Sequence, residues 1–265
     1  MTTYNNTELE MQEFAVEPQT ECTVGVIYTN SGLLFFKNRD LQREFLVNRR
    51  TVYRSTPEVY ALEGANLKTL ESAGVSIGIN NHRICVANTH VDSTEDVTYD
   101  VLCETVLNKV KSKSDVPKIV KEFMDLNTVQ GGRILISSLG WTYLVEVYKK
   151  DFIVKEIDSD IAITNRFDYL SHEPEKSKVS ENSSNNRLEV ANQMIKDITT
   201  IGELKSMLRS HFPEKGELSI CNHRQDGGGT ESSHIIQIQG EYIGWSSLFG
   251  PPCENDYNTV QLFLQ

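Results

Sequence analysis

No apolar run in the sequence approaches the ~20 residues that cross a bilayer, and its first 21 residues lack the basic start and apolar centre of a secretory signal. A cytoplasmic protein without membrane contact is the expectation. Basic residues are also scarce, 26 Lys and Arg against 37 Asp and Glu, for a net charge of −11. Nucleic-acid binders need a basic face to neutralise phosphates, so this balance argues against nucleic acid as a partner. The five cysteines (Cys22, Cys85, Cys103, Cys221, Cys253) are odd in number and include no CxxC pair. That excludes a disulfide framework or a regular zinc knuckle and predicts free thiols, with no metal and no cofactor. Prolines number only seven and no repeat period is present, against a fibrous chain or a repeat array.

What is present fits one globular domain of ordinary composition, with 265 residues being enough to bury a substantial core. Residues 1–21 stand apart: they carry Glu8, Glu10, Glu13, Glu17 and Glu21, no Lys or Arg, and no sustained periodicity. At Cys22 the chain turns at once into a short apolar run. A turn signal at Asn30-Ser31-Gly32 and a second apolar run follow, so residues 22–38 predict a hairpin. Strand-like runs recur at 59–63, 75–79, 84–88, 133–138, 141–147, 151–157 and 161–164, the last completing a second sheet. Helical spacing appears over 96–126 and again from Leu188 to Leu208, a polar loop is expected over 171–186, and further strands over 217–221, 233–239, 241–245 and 258–264. Strands, two helices, strands, two helices, strands describe an α+β protein, a four-layer αββα sandwich of two antiparallel sheets flanked by helices.

A free cysteine heading a strand is more often a small packed hydrophobe than a nucleophile. Position argues otherwise for Cys22, which follows an acidic leader and precedes Asn38-Arg39-Asp40 at the end of the hairpin. Cys22-Thr23, the hairpin and Lys37-Asn38-Arg39-Asp40, with Gly78-Ile79-Asn80-Asn81, Tyr143 to Glu146, Ile163-Thr164-Asn165-Arg166, Ile220 to His223, Thr230 to Ser233 and Gly250 to Cys253 in the same order, resemble the N-terminal-nucleophile (Ntn) hydrolases. The similarity is to the acyl-coenzyme A:6-aminopenicillanic acid acyltransferase family and its penicillin acyltransferase and choloylglycine hydrolase relatives. It implies catalytic Cys22, Asp40 organising the site with Arg39 and Asn38, Asn165 and Asn81 as oxyanion donors, and a late arginine, for which Arg187 is the candidate. The sequence departs from that pattern at Arg166 and at His82-Arg83.

The chemistry can be argued without the resemblance. A cysteine that is also a chain terminus carries its own base, since an α-amino group titrates at about 7.7–8.0. The expectation is therefore a zymogen: residues 1–21 form a propeptide removed when Cys22 attacks the Glu21 carbonyl, and residues 22–265 form the mature enzyme. Its substrate would be a small-molecule or peptide amide, with hydrolysis or acyl transfer through a thioester, and it could form a homo-oligomer. Two alternatives stay open, a cysteine peptidase or dipeptidase of the same fold and a non-catalytic binding domain. Asn38-Arg39-Asp40 could also be a surface turn. His223 and His234 are expected to pack structurally, because Cys221-x-His223 falls on an expected strand with no third ligand in regular spacing. Gly227-Gly228-Gly229 lacks the Lys-Ser/Thr of a phosphate loop and reads as a flexible edge of the site. Trp141, Tyr143 and Trp245 read as core or rim aromatics, and Cys253 as a buried turn residue.

Overall fold

A computed structural model describes residues 21–41, 53–65, 72–94, 96–172, 178–225 and 227–265. The expected propeptide, apart from Glu21, lies outside these residues. The hairpin forms as β1 (Glu21–Thr29) and β2 (Gly32–Leu41), followed by β3 (Tyr53–Ser55), β4 (Val59–Ala65), β5 (Ser72–Asn80) and β6 (Cys85–Asp92). Two helices, α1 (Tyr99–Lys109) and α2 (Asp115–Leu126), precede β7 (Val129–Ser138), β8 (Trp141–Lys149), β9 (Asp151–Ile157) and β10 (Ile161–Ile163). Helix α3 (Lys178–Met194), a 3₁₀ turn (Ile195–Asp197) and α4 (Ile201–Leu208) lead to β11 (Gly229–Gln239), β12 (Tyr242–Phe249) and β13 (Asn258–Gln261). No described helix is long and apolar enough to cross a membrane.

The strands form two antiparallel sheets, ordered β10-β1-β2-β11-β12-β13 and β3-β4-β5-β6-β7-β8-β9. Alternation along β2 shows how three apolar layers arise. Leu33 and Phe35 point between the sheets with Val24, Ile77 and Leu135, whereas Leu34 and Phe36 point outward onto Ala191, Leu204 and Met207. The second sheet's outer face packs Val86, Ile134 and Val145 against Leu102, Val106, Val120 and Phe123 of α1 and α2. The αββα sandwich expected from the order of elements is the observed architecture. At β5, Gly74 (φ +61) lets α1 come unusually close, since a Cβ there would sit 2.1 Å from the Asp100 carbonyl.

Three local expectations are corrected. β10 pairs with β1, Val24 opposite Ile163, so it belongs to the first sheet rather than completing the second. The polar segment expected to loop through 171–186 is helical from Lys178. Its inward face carries Ser183, Ser184 and Arg187, all buried, so a helix packed through polar contacts shows no apolar period. Residues 217–221, expected as a strand, are irregular: the Cys221 N–H bonds the Ser210 carbonyl, and Ser219 Oγ donates to the carbonyls of Gly216 and Cys221. By contrast α4 starts where its capping residues lie, with Thr200 and Glu203 capping one another's backbone N–H.

Candidate active site

Antiparallel register places Cys22 opposite Arg39, Thr23 opposite Asn38 and Glu21 opposite Asp40. Alternation then sends Cys22, Lys37 and Arg39 between the sheets and sends Glu21, Thr23, Asn38 and Asp40 towards the helices. Asn38-Arg39-Asp40 is thus interior strand, 0–5% exposed, and not a surface turn.

On the thiol's side the chemistry is that of a buried cation. Lys37 is 1% exposed, and its Nζ donates to Ser76 Oγ (2.8 Å), the Asn88 carbonyl (2.8 Å), Asn88 Oδ1 (3.0 Å) and the Ser76 carbonyl (3.2 Å). Asn88 in turn donates to Asp100 Oδ1 (3.0 Å), at the start of α1. Burial pushes the Cys22 thiol up, opposed first by the Lys37 ammonium, while the Asp40 carboxylate adds to the rise. Burial pushes Lys37 down, and the negative charge available at Cys22 is the largest influence holding it up. Thiol and ammonium are therefore each other's main electrostatic counterweight. Arg39 lies 3.6 Å from Glu231, both nearly buried, and also favours the thiolate.

On the helix side the backbone around Cys22 is gripped. Arg187, fully buried in the middle of α3, donates Nη1 to the Cys22 carbonyl (2.7 Å) and Thr23 Oγ1 (3.0 Å), and Nη2 to Asn165 Oδ1 (3.2 Å). Asn165 Oδ1 also accepts the Cys22 N–H (2.7 Å), while its Nδ2 donates to the His90 carbonyl (2.7 Å). The chain after Asn165 is fixed by a buried pair: Glu146, 3.1 Å from Arg133, accepts the N–H groups of Asp168, Tyr169 and Leu170 at 2.8–2.9 Å. The Glu21 carboxylate accepts from Ser183 Oγ (2.8 Å) and Asn222 Nδ2 (3.1 Å), with Arg187 3.8 Å away. Asn222 is held by β11: a Cβ on Gly229 (φ +132) would meet the Asn222 carbonyl at 2.3 Å.

Asp40 accepts from Thr230 Oγ1 (2.8 Å), but its other oxygen, Oδ2, is buried without a hydrogen-bond partner among the described residues. Burial pushes its carboxyl from 3.8 up to about 7, against the pull of Arg187. Between those values the folded chain holds more protons than the unfolded one, so this contribution to stability is present in acid and lost as pH rises through about 7. Asp40→Asn keeps the neutral shape and is expected to flatten that loss. Urea denaturation at about pH 5 and about pH 8, in chains that also carry Cys22→Ala so that Glu21 stays attached, measures the difference. An equal loss in the variant would remove the assignment.

Five of the seven residues expected at the site (Cys22, Arg39, Asp40, Asn165, Arg187) converge on one end of β1. Asn38 does not share their role: its Nδ2 bonds the carbonyls of Leu208 and Ile220 (both 3.0 Å), tying the end of α4 and the segment before β11 to the sheet. Asn81 is not at the site at all. It bonds the Gln265 carbonyl (2.6 Å) in the turn whose Arg83 bonds the Gly240 carbonyl, and Gly240 lies past the end of β11 opposite Thr230, about 30 Å away at ~3.3 Å per residue. Missed by the sequence reading were Lys37, Asn88, Asp100, Ser183, Asn222 and Thr230. His234, opposite Lys37 on β11, is fully buried among Tyr53, Trp245 and Phe249, and burial pushes its imidazole down to about 3. The packing role expected for it agrees with that. Cys221 and His223, expected to pack on a strand with no third ligand, instead share a cluster with His211 and Cys253.

No family model and no curated protein sequence matches the chain. Solved structures do. A mutant of the conjugated bile acid hydrolase from Clostridium perfringens superposes with a TM-score of 0.58 at 12% identity, over 91% of this chain and 92% of that one. Penicillin V acylase from Agrobacterium tumefaciens superposes with a TM-score of 0.52 at 9% identity, over 91% and 85% respectively. At such identity the likeness is one of fold, and the fold is that of the Ntn hydrolases.

Proposed function

We propose that this Ntn-fold chain is an amide-bond hydrolase whose nucleophile is the Cys22 thiol, released as a new N-terminus by loss of residues 1–21. One observation carries the reading: a buried cysteine on β1 whose N–H and carbonyl are held by Asn165 and Arg187, and whose thiolate has Lys37 as its main electrostatic support. The similar structures are named as a bile acid hydrolase and a penicillin acylase, both of which cleave amides.

Maturation begins when the Cys22 sulfur attacks the Glu21 carbonyl carbon. The C–N bond breaks, the peptide nitrogen takes up a proton to become the α-amine, and water then hydrolyses the thioester to free Glu21 as a carboxylate. The contacts of Ser183, Asn222 and Arg187 with the Glu21 side chain hold that bond in one geometry. The new ammonium gives Asp40 Oδ2 a candidate partner on the helix side of the same strand end. In the mature enzyme the α-amine takes the thiol proton and returns it to the leaving amine, while Lys37 stabilises the thiolate. Asn165 and Arg187, which already hold the backbone here, are the candidate donors to the oxyanion, for which one donor contributes about 2.7–4 kcal/mol in known cases. Tyr60 and Trp245 stack edge to face on the thiol's side of the sandwich, an apolar wall that suits an uncharged acyl group.

Intact mass of the purified protein, before and after an acyl-donating amide probe, tests both halves. The expected result is a chain beginning at Cys22 that gains one acyl group on that residue. A full-length chain that turns over amides would overturn the self-release mechanism, a full-length chain that does not would favour a binding domain, and cleavage restricted to peptides would identify a peptidase.

A further inference from the structure

We propose that His211, Cys221, His223 and Cys253 form a structural zinc site, separate from the chemistry at Cys22. The four side chains come from three irregular segments, the chain after α4, the stretch before β11 and the turn between β12 and β13, and their ligand atoms all lie within 4.8 Å of one another. His223 Nε2 lies 3.2 Å from His211 Nε2, 3.3 Å from Cys253 Sγ and 3.5 Å from Cys221 Sγ. A tetrahedral zinc with Zn–N of about 2.0–2.1 Å and Zn–S of about 2.3 Å places its ligand atoms about 3.3 Å apart for N and N, and about 3.6 Å for S and N. The three separations are therefore close to edges of such a tetrahedron.

Hydrogen bonding does not account for the arrangement. One imidazole nitrogen either donates one proton or offers one lone pair, so His223 Nε2 satisfies one of its three neighbours and leaves two facing it. A divalent cation resolves the conflict by accepting all four lone pairs. Two thiolates and two imidazoles in tetrahedral array match zinc, and binding would release the two thiol protons, leaving the site neutral overall. The surroundings hold the donors in place: Cys221 N–H bonds the Ser210 carbonyl, His223 N–H the Gly216 carbonyl, and Arg209 Nε bonds the Pro252 carbonyl beside Cys253 (2.8 Å). Among the described residues between α4 and β11 there is no helix or strand, the kind of segment that a metal cross-link fixes. Asn222, between two of the ligands, is one of the residues that touch Glu21.

The test uses the full chain and does not depend on Cys22. Zinc is removed with a chelator, and the protein is titrated with Co²⁺ and then Zn²⁺. The expected result is one Co²⁺ per chain with the visible bands of a tetrahedral site and a thiolate charge-transfer band, displaced by Zn²⁺, together with zinc-dependent protection of Cys221 and Cys253 from alkylation. Cys253→Ser should remove most of the charge-transfer intensity and His211→Ala should weaken Co²⁺ binding at least about tenfold, if either folds; the thiol protection of the unmutated chain decides the matter if neither does. No charge-transfer band, or equal alkylation of both thiols with and without Zn²⁺, would overturn the proposal, as would a Cys221–Cys253 disulfide in chain purified under reducing conditions.

Discussion

A chain carrying Cys22→Ala is expected to stay folded, to keep residues 1–21, and to lose amide hydrolysis by at least about 10³-fold, as removal of a covalent nucleophile does elsewhere. Retained folding follows from the contacts. Cys22 is joined to Asn165 and Arg187 through its backbone N–H and carbonyl, which alanine preserves, and the missing sulfur is one small atom in the layer between the sheets. Loss of both cleavage and turnover follows from a single atom serving both. The other thiols supply the contrast: burial alone pushes Cys85 up, and at Cys103, also pushed up by burial, Lys37 is only a minor counterweight. Cys85→Ala should therefore leave the starting residue and the activity of the mature chain unchanged. Intact mass and initial rates on one amide substrate measure all three proteins. A Cys22→Ala chain that still sheds residues 1–21 would transfer the cleavage to an outside protease, while one that still hydrolyses amides would end the proposal.

Much of the fold was legible because most buried faces are apolar. Leu33 to Phe36 form an unbroken apolar run buried on both faces of β2, and Leu102, Val106 and Leu107 recur at helical spacing on α1, so run and period revealed them. Legibility failed where the buried face is polar. Ser183 and Ser184 read as loop and Arg187 as a helix start, yet the three form one face of α3 that serves Thr164, Glu21 and Asn165. Lys37 was hidden for the same reason, since a lysine in an alternating strand reads as solvent-facing until the second sheet is placed over it. Asn81 erred in the opposite direction, because a local motif fixes a turn but not the end of the sandwich on which that turn falls. The metal ligands were invisible to spacing arguments: residues 211, 221, 223 and 253 are brought together by two loops and a turn, whose paths no periodicity encodes.

Lys37→Met is expected to lower kcat/KM by about 10²–10³-fold, the loss seen when one preorganised electrostatic donor is removed from a site. The residue lies in the layer between two sheets, where low polarisability makes an ammonium's influence on a nearby thiolate far larger than at a surface. Cys22 supports its charge most, with Asp100 and Cys103 weaker, so no adjacent carboxylate neutralises it fully before the thiolate forms. Methionine fills much of the same space but leaves Ser76 and Asn88 short of a donor, at a cost of about 1–3 kcal/mol for each group left unsatisfied. A loss of activity could therefore come from loosened structure, and Lys37→Arg separates the two causes by restoring the charge in a larger head group. The discriminating readout is the pH dependence of Cys22 alkylation in the mature protein. Without the ammonium the thiolate is less favoured, so the alkylation midpoint should move to higher pH in Lys37→Met and return towards its original position in Lys37→Arg. If the midpoint in Lys37→Met does not move, Lys37 is a structural tie between the sheets, and the positive charge that activates Cys22 has to come from Arg39 or from the α-ammonium itself.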